Sequence, residues 1–222
     1  MRFLSRSEVR KWFDGKTVAV VGSGPGCLDN GRNVIDGCDV VLRCNNYKLL
    51  PGTGRRTDVF YSFFGSSIKK SADELKHDGV KMCMCKIPNA HAIESEWHRK
   101  NNKMIGVDYR PHFRRREGWW FCDTYIPTVD EFLLPFNALG RHQPSTGFAA
   151  IFDVLSFSPA AVHLTGFDFF TSKIHNVNEP HRLKNLDDPI GHSPEREIKW
   201  LRENISRHNV TTDKRLAAIL AG

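Results

Sequence analysis

Val18-Ala19-Val20-Val21-Gly22-Ser23-Gly24-Pro25-Gly26 joins an apolar, largely β-branched run directly to a Gly-x-Gly turn. Such a run marks a parallel strand buried on both faces. Glycine at the strand end carries no Cβ, so the backbone there can approach a ligand, usually a phosphate or sugar. A second run, Asp39-Val40-Val41-Leu42-Arg43-Cys44-Asn45-Asn46, follows at the spacing of an adjacent strand in an α/β unit. It ends in Arg43, Cys44 and Asn45, which places polar groups beside the first turn. Ligands of open α/β sheets bind outside the carboxyl ends of the strands. A dinucleotide fingerprint would need a third glycine at position 27 and an acid after the second strand. Cys27 and the pair Arg43 and Asn45 stand there instead, which argues against NAD or FAD. Taken alone, the turn also fits a plain strand-to-helix connection.

The chain has 222 residues, enough for one large domain or one domain with a lid. Hydrophobic residues make up 40%, with 15 Phe, so a substantial core is expected. The net charge of +7 suits anionic partners: nucleic acid, acidic lipid head groups or nucleotide-activated substrates. The basic residues are scattered except around Arg114-Arg115-Arg116, which lies among Phe113, Trp119 and Trp120. Basic residues interleaved with aromatics can bind single-stranded nucleic acid. A loop near an acceptor or a membrane surface is the preferred reading of 108–124. The six cysteines form no Cys-x-x-Cys pair, which points away from zinc. No apolar run approaches 18 residues, and Met1-Arg2-Phe3-Leu4-Ser5-Arg6 turns polar at once. Reduced thiols and a cytoplasmic setting, peripheral to a membrane at most, are the expectation.

In order, a short helix is predicted over Ser7 to Phe13, then strands at 17–22, 39–43 and 57–63. A helix follows over Ser66 to Leu75 and a strand over Val80 to Ile87. Ala90 to Lys100 reads as helix, Lys103 to Val107 as strand, 108–124 as an irregular insertion or lid, and Thr128 to Leu139 as helix. The alternation predicts a single α/β domain with a Rossmann-like, mostly parallel sheet and helices on both faces.

Pro144-Ser145-Thr146-Gly147 precedes Phe148, Ile151, Phe152 and Leu155, spaced i, i+3, i+4, i+7 as on the buried face of a helix. Ser145 is placed as its N-cap, so the helix start offers N–H groups and hydroxyls to an anion. Ala161-Val162-His163-Leu164-Thr165-Gly166-Phe167 then reads as a strand ending in glycine, near enough to close over a base or ribose. An ordinary helix–strand unit would look the same. In Asp188-Pro189-Ile190-Gly191-His192-Ser193-Pro194-Glu195-Arg196-Glu197-Ile198, Ser193 and Pro194 mark a helix start. Glu195 and Glu197 fall in its first turn, and Ile198, Leu201 and Ile205 supply the buried stripe. His192, just before the cap, sits in the field of the helix end, which favours neutral imidazole able to accept a proton. A histidine at a helix start is also a common surface residue.

Together and in this order, the three stretches resemble a sialyltransferase. Val20-Val21-Gly22-Ser23-Gly24 through Val41-Leu42-Arg43-Cys44-Asn45 is similar to the large sialyl motif. Pro144-Ser145-Thr146-Gly147 through Gly166-Phe167 is similar to the small one. His175 resembles the histidine of the third motif, and His192-x-x-x-x-Glu197 the very small motif. Ser-Thr-Gly and His-x4-Glu fit glycosyltransferase family 29; Gly-x-Gly-Pro, Arg-Cys-Asn and Ile190-Gly191-His192-Ser193 fit the bacterial family 42. The resemblance spans about residues 17–206, loosely over 64–140. It implies the GT-A-like variant of the Rossmann fold found in sialyltransferases. It also implies inverting, metal-independent transfer of a 2-keto sugar acid, sialic acid or a relative such as Kdo, from a CMP-activated donor to a glycan or glycolipid hydroxyl. No nucleic acid, cofactor or metal is implied, and the chain contains no Asp-x-Asp. By the same resemblance His192 is the general base and His175 contacts the departing phosphate. Gly22, Ser23, Gly24, Asn45, Ser62, Ser145, Thr146, Gly147, Gly166 and Phe167 hold the CMP-sugar, and Glu197 and Arg141 support them. The sequence departs from the family at three points. Ser23 replaces the usual Asn, 144–168 lack the cysteine of the family-29 disulfide, and Phe170 stands where family 42 has tyrosine. A pterin pyrophosphokinase-type phosphotransferase, without His-x4-Glu, and a non-catalytic nucleotide- or RNA-binding protein are the readings from other classes.

Overall fold

The computed structural model describes residues 1–29, 32–65, 67–90, 108–114, 121–171, 174–175, 179–180 and 192–222. Eight strands form one sheet: β1 (Phe3–Leu4), β2 (Thr17–Val21), β3 (Val40–Cys44), β4 (Val59–Ser62), β5 (Met82–Cys85), β6 (Asp123–Tyr125), β7 (Ala161–Thr165) and β10 (Val210–Thr212). Ile174–His175 (β8) and Glu179–Pro180 (β9) make a separate antiparallel pair. The order across the sheet is β1-β6-β5-β4-β3-β2-β7-β10, and every neighbouring pair is parallel.

The alternation of side chains explains why both faces are covered. Val18 and Val20 of β2 join the cluster with Val9, Phe13, Phe148, Ile151, Leu201 and Leu216. Ala19 and Val21 point the other way, to Cys27, Ile35 and Val41. On β4 and β5 the same alternation sends Tyr61 and Met84 to the first face. It sends Phe60, Cys83 and Cys85 to Phe132 and Phe136 on the second. A sheet buried on both sides needs apolar residues at successive positions, which is why its strands read as unbroken runs.

Helix starts follow the capping rules. Ser5, Ser71 and Thr128 each form a reciprocal box with Glu8, Glu74 and Glu131, fixing helices Arg6–Phe13, Ala72–His77 and Val129–Ala138. The box at Ser71 starts its helix later than the predicted Ser66. Helix Thr146–Ser156 buries Phe148, Ile151, Val154 and Leu155. Each such side chain contributes about 1.5–3 kcal/mol of burial. Helix Pro194–Asn204 is present, but Ser193 makes no capping bond; its hydroxyl meets Glu195 instead.

The segment 108–124 is not wholly irregular. Arg110–Arg114 is a helical turn, and Asp123 opens β6, an interior strand. Residues 115–120 lie outside the described residues, as do most of the predicted helix Ala90 to Lys100 and the predicted strand Lys103 to Val107. β1, β10 and the C-terminal helix Lys214–Ala221 are additions to the sequence-based reading. Among the described residues no helix is long and apolar enough to cross a membrane.

Candidate active site

β2 pairs with β3 on one side and β7 on the other, and the chain reaches β7 only after building β3 to β6. The strand order therefore reverses at β2/β7, where crevices open in sheets of this kind. The turns after these two strands interlock. Gly22 donates its N–H to Thr165 O at 2.8 Å, and Gly24 to Gly166 O at 2.8 Å. A Cβ on Gly22 would lie 2.2 Å from the Gly166 carbonyl oxygen, and one on Gly147 would lie 2.8 Å from the Phe167 ring. Gly166, at φ +73°, donates to Asp213 Oδ2 at 2.8 Å. These glycines permit the close packing of turn on turn. Gly22, Gly24, Gly166 and Phe167 are buried, and Ser23 alone of the first turn is half-exposed.

A helix that precedes a parallel strand runs back across the sheet, so helix Thr146–Ser156 begins at the carboxyl edge. Ser145 Oγ accepts from Phe148 N at 3.1 Å and donates to Glu197 Oε2 at 2.8 Å, while Ser145 N donates to Glu197 Oε1 at 2.6 Å. Glu197 is fully buried rather than facing solvent from a first helical turn. Burial pushes its carboxyl up to about 7, against the Ser145 bonds and the Lys86 ammonium, which act to lower it. Thr146 and Gly147 are half-exposed, and their first-turn N–H groups have no partner among the described residues.

His192 stands on the same edge. Its Nδ1 lies 2.8 Å from Gln143 O. A carbonyl only accepts, so Nδ1 carries the proton and the Nε2 lone pair remains to accept one. Phe170 stacks on the imidazole, with centroids 6.2 Å apart and planes 12° apart. The imidazole is held neutral, its pKa lowered to about 4. This agrees with the expected neutral imidazole; burial is the largest cause and Lys86 the second, opposed by the Gln143 bond.

On the other side of β2, Ser62 Oγ donates to Asn45 Oδ1 at 3.2 Å and accepts from Phe64 N at 3.1 Å. Lys86, just past β5, donates its backbone N–H to Ser62 O at 2.8 Å. Hydrogen bonds and direct packing thus link Asn45, Ser62 and Lys86 on one side and Gly22, Gly166, Phe167, Gly147, Ser145 and Glu197 on the other. Non-glycine residues with positive φ gather along this edge: Asn45, Phe64, Arg141, Phe169 and Phe170, with Ser158 elsewhere. Such conformations cost energy and cluster at functional sites.

One expected placement differs. Arg43 is buried and donates to the carbonyls of Thr53 and Arg56, so it braces the loop after β3 rather than lining the cleft. Arg141 is exposed, with its guanidinium 5.9 Å over the Phe136 ring. The backbone of His175 lies in β8, and its side chain is outside the described residues. Residues missed by the sequence reading are Gln143, whose contribution is a carbonyl, and Lys86, a lysine at the end of an alternating strand. A hollow of about 490 Å³ at the amino edge, lined by Lys11, Lys16, Asp39, Asp58 and Lys81, holds none of the candidate residues. Among the described residues no cluster of His, Cys, Asp and Glu could hold a metal ion.

No protein-family profile matches the chain, and no curated protein matches it in sequence. Solved structures do match. The sialyltransferase CstII of Campylobacter jejuni, bound to the substrate analogue CMP-3FNeuAc, superposes with a TM-score of 0.56 at 17% identity, over 89% of this chain and 81% of its own. A mammalian sialyltransferase in complex with Gal-beta-1-3GalNAc-ortho-nitrophenol gives 0.56 at 17% identity, over 92% and 71%. CstII with a trisaccharide acceptor and CMP gives 0.53 at 16%, over 89% and 80%. The chain shares the fold of these enzymes.

Proposed function

We propose that the chain transfers sialic acid, or a related 2-keto sugar acid such as Kdo, from a CMP-activated donor to a hydroxyl of a glycan or glycolipid. Transfer is inverting and needs no metal. The observation that carries this reading is His192. Its Nδ1–H is fixed on the Gln143 carbonyl, and its Nε2 is free to take a proton. It stands on the edge where the helix start at Ser145 is clamped by Glu197. The shared fold supports the same choice of substrate class.

In the proposed reaction the acceptor oxygen attacks the anomeric carbon of the donor from the face opposite the phosphate. Nε2 of His192 takes the hydroxyl proton, the bond from that carbon to the phosphate oxygen breaks, and the electron pair leaves with CMP. An anionic donor beside His192 stabilises imidazolium and raises its proton affinity toward the useful range. Ser145, Thr146 and Gly147 hold the phosphate or the sugar carboxylate. Ser23, Asn45 and Ser62 meet the nucleotide. Gly22, Gly24, Gly166 and Phe167 shape the floor beneath it. His175 contacts the departing phosphate, Glu197 and Arg141 support the site, and 108–124 handles the acceptor, with a peripheral membrane contact.

Calorimetry in EDTA is expected to give CMP tighter binding than AMP, GMP or UMP. Transfer from CMP-Neu5Ac or CMP-Kdo is expected, and His192→Ala should slow it by about 10²–10⁴ with CMP affinity within a few fold. Equal binding of the four nucleotides, or a wild-type rate in His192→Ala, overturns the proposal. ATP preference would point to the pyrophosphokinase reading, and steeply salt-dependent RNA binding to the third.

A further inference from the structure

We propose that Gln143 is the positioning residue of His192: its backbone carbonyl keeps the proton on Nδ1, and its side chain, tied to Tyr109, keeps that carbonyl in place. The role of His192 as base rests on the reading above; the lock on its ring does not. Gln143 is joined to two parts of the molecule at once. Its O lies 2.8 Å from His192 Nδ1, and its Nε2 donates to the Tyr109 hydroxyl at 3.3 Å. Tyr109 is a firm anchor. It is 5% exposed, its ring meets that of Phe132 edge-on at 6.0 Å, and its N–H donates to Ala90 O at 2.9 Å.

The backbone delivers Gln143 to this spot. Helix Val129–Ala138 ends in a reversal where Gly140 and Arg141 have φ of +64° and +65°, and Arg141 N returns to Phe136 O at 3.0 Å. Pro144 follows Gln143, and a residue before proline is confined to extended backbone, which limits where its carbonyl can point. One residue further on, Ser145 is clamped by Glu197. The chain thus holds the carbonyl from both directions, and the Tyr109 bond adds a tie across it. The consequence is chemical. Neutral imidazole carries one N–H, and the hydrogen bond made by one nitrogen decides which of the two bears it. While Nδ1 is bonded to the carbonyl, Nε2 keeps its lone pair. If the carbonyl turns away, the proton is free to move to Nε2, which then can no longer accept one. Tyr109 belongs to the segment 108–114, so a single side chain connects that segment with the histidine.

The test compares the full chain with Gln143→Met, which keeps the carbonyl and the side-chain length but not the amide, and with Tyr109→Phe, which keeps the ring on Phe132 but not the hydroxyl. Nitrogen NMR of isotope-labelled histidine near neutral pH, with His192 assigned by its loss in His192→Ala, reports which ring nitrogen bears the proton. Wild type should show Nδ1–H. Each variant should show part of its His192 as Nε2–H. In each, kcat for transfer from CMP-Neu5Ac or CMP-Kdo should fall about two- to tenfold, the worth of one hydrogen bond, with the donor KM unchanged. The double variant should be no slower than the slower single one, because both remove the same bond. A wild type with Nε2–H overturns the proposal, as does either variant that folds and keeps the wild-type tautomer, whatever its rate, since any rate loss would then be structural. Should one variant fail to fold, the other decides. A tautomer that shifts while transfer is unchanged upholds the lock and overturns His192 as the base. A tautomer that shifts in a protein whose wild type transfers neither sugar upholds the lock and overturns the transferase reading.

Discussion

His192, Glu197 and Lys86 are each displaced toward the neutral form, to about 4, 7 and 8, and burial is the largest cause for all three. Their consequences for stability differ in sign. Glu197 titrates in the folded protein above its ordinary 4.5, so the stability it contributes is full below that value and is lost as pH rises through about 7. His192 titrates below its ordinary 6.5, so its contribution is present above that value and is lost as pH falls toward 4. Between pH 4.5 and 6.5 the two slopes oppose each other. Glu197→Gln keeps a side-chain oxygen for Ser145 N and removes only the falling slope. Urea denaturation at pH 5 and pH 8 should show the variant gaining on wild type with rising pH, by at most about 1.4 kcal/mol per pH unit. Parallel pH dependence of the two proteins would mean that Glu197 titrates normally.

Strand ends, rather than isolated side chains, build the cleft. Gly22→Ala would drive a methyl against the Gly166 carbonyl, which is held by backbone on both sides. The variant should lose about 1–3 kcal/mol in thermal or urea melts and bind CMP more weakly, because Ser23 moves with the turn. Unchanged stability would show that the two turns are not locked together. How much of this was legible depends on element length. β2, β3, β4, β5 and β7 show as apolar runs, and Ser145 and Thr128 mark their helices by capping chemistry. β1 has two residues, β6 and β10 three, and none leaves a pattern longer than its loops. At the site, His192, Ser145 and Glu197 stand out by residue type and spacing. Gln143 serves through a backbone carbonyl, which no side chain announces. Lys86 is hidden for a different reason: its burial is decided by what packs over β5, and a lysine after a strand normally reads as surface.

At the scale of the molecule, all six cysteines are unpaired, and Cys83 Sγ and Cys122 Sγ approach within 3.6 Å across β5 and the start of β6. Thiol titration of the denatured, unreduced protein should find six thiols. A value of four would mean that this pair closes and that the protein matures under oxidising conditions. The sheet order has a consequence for how the molecule comes into being. β2 is the third strand from one edge of the finished sheet, yet its partner β7 is encoded after β3, β4, β5 and β6. During synthesis, Val18-Ala19-Val20-Val21 therefore waits with one unpaired flank, the apolar open edge to which other chains stick. The flank is sealed only when Ala161–Thr165 emerges, and His192, Glu197 and Asp213 come later still. The cleft is thus completed late, and any cut before β7 leaves six of the eight strands with no helix start at Ser145 held by Glu197.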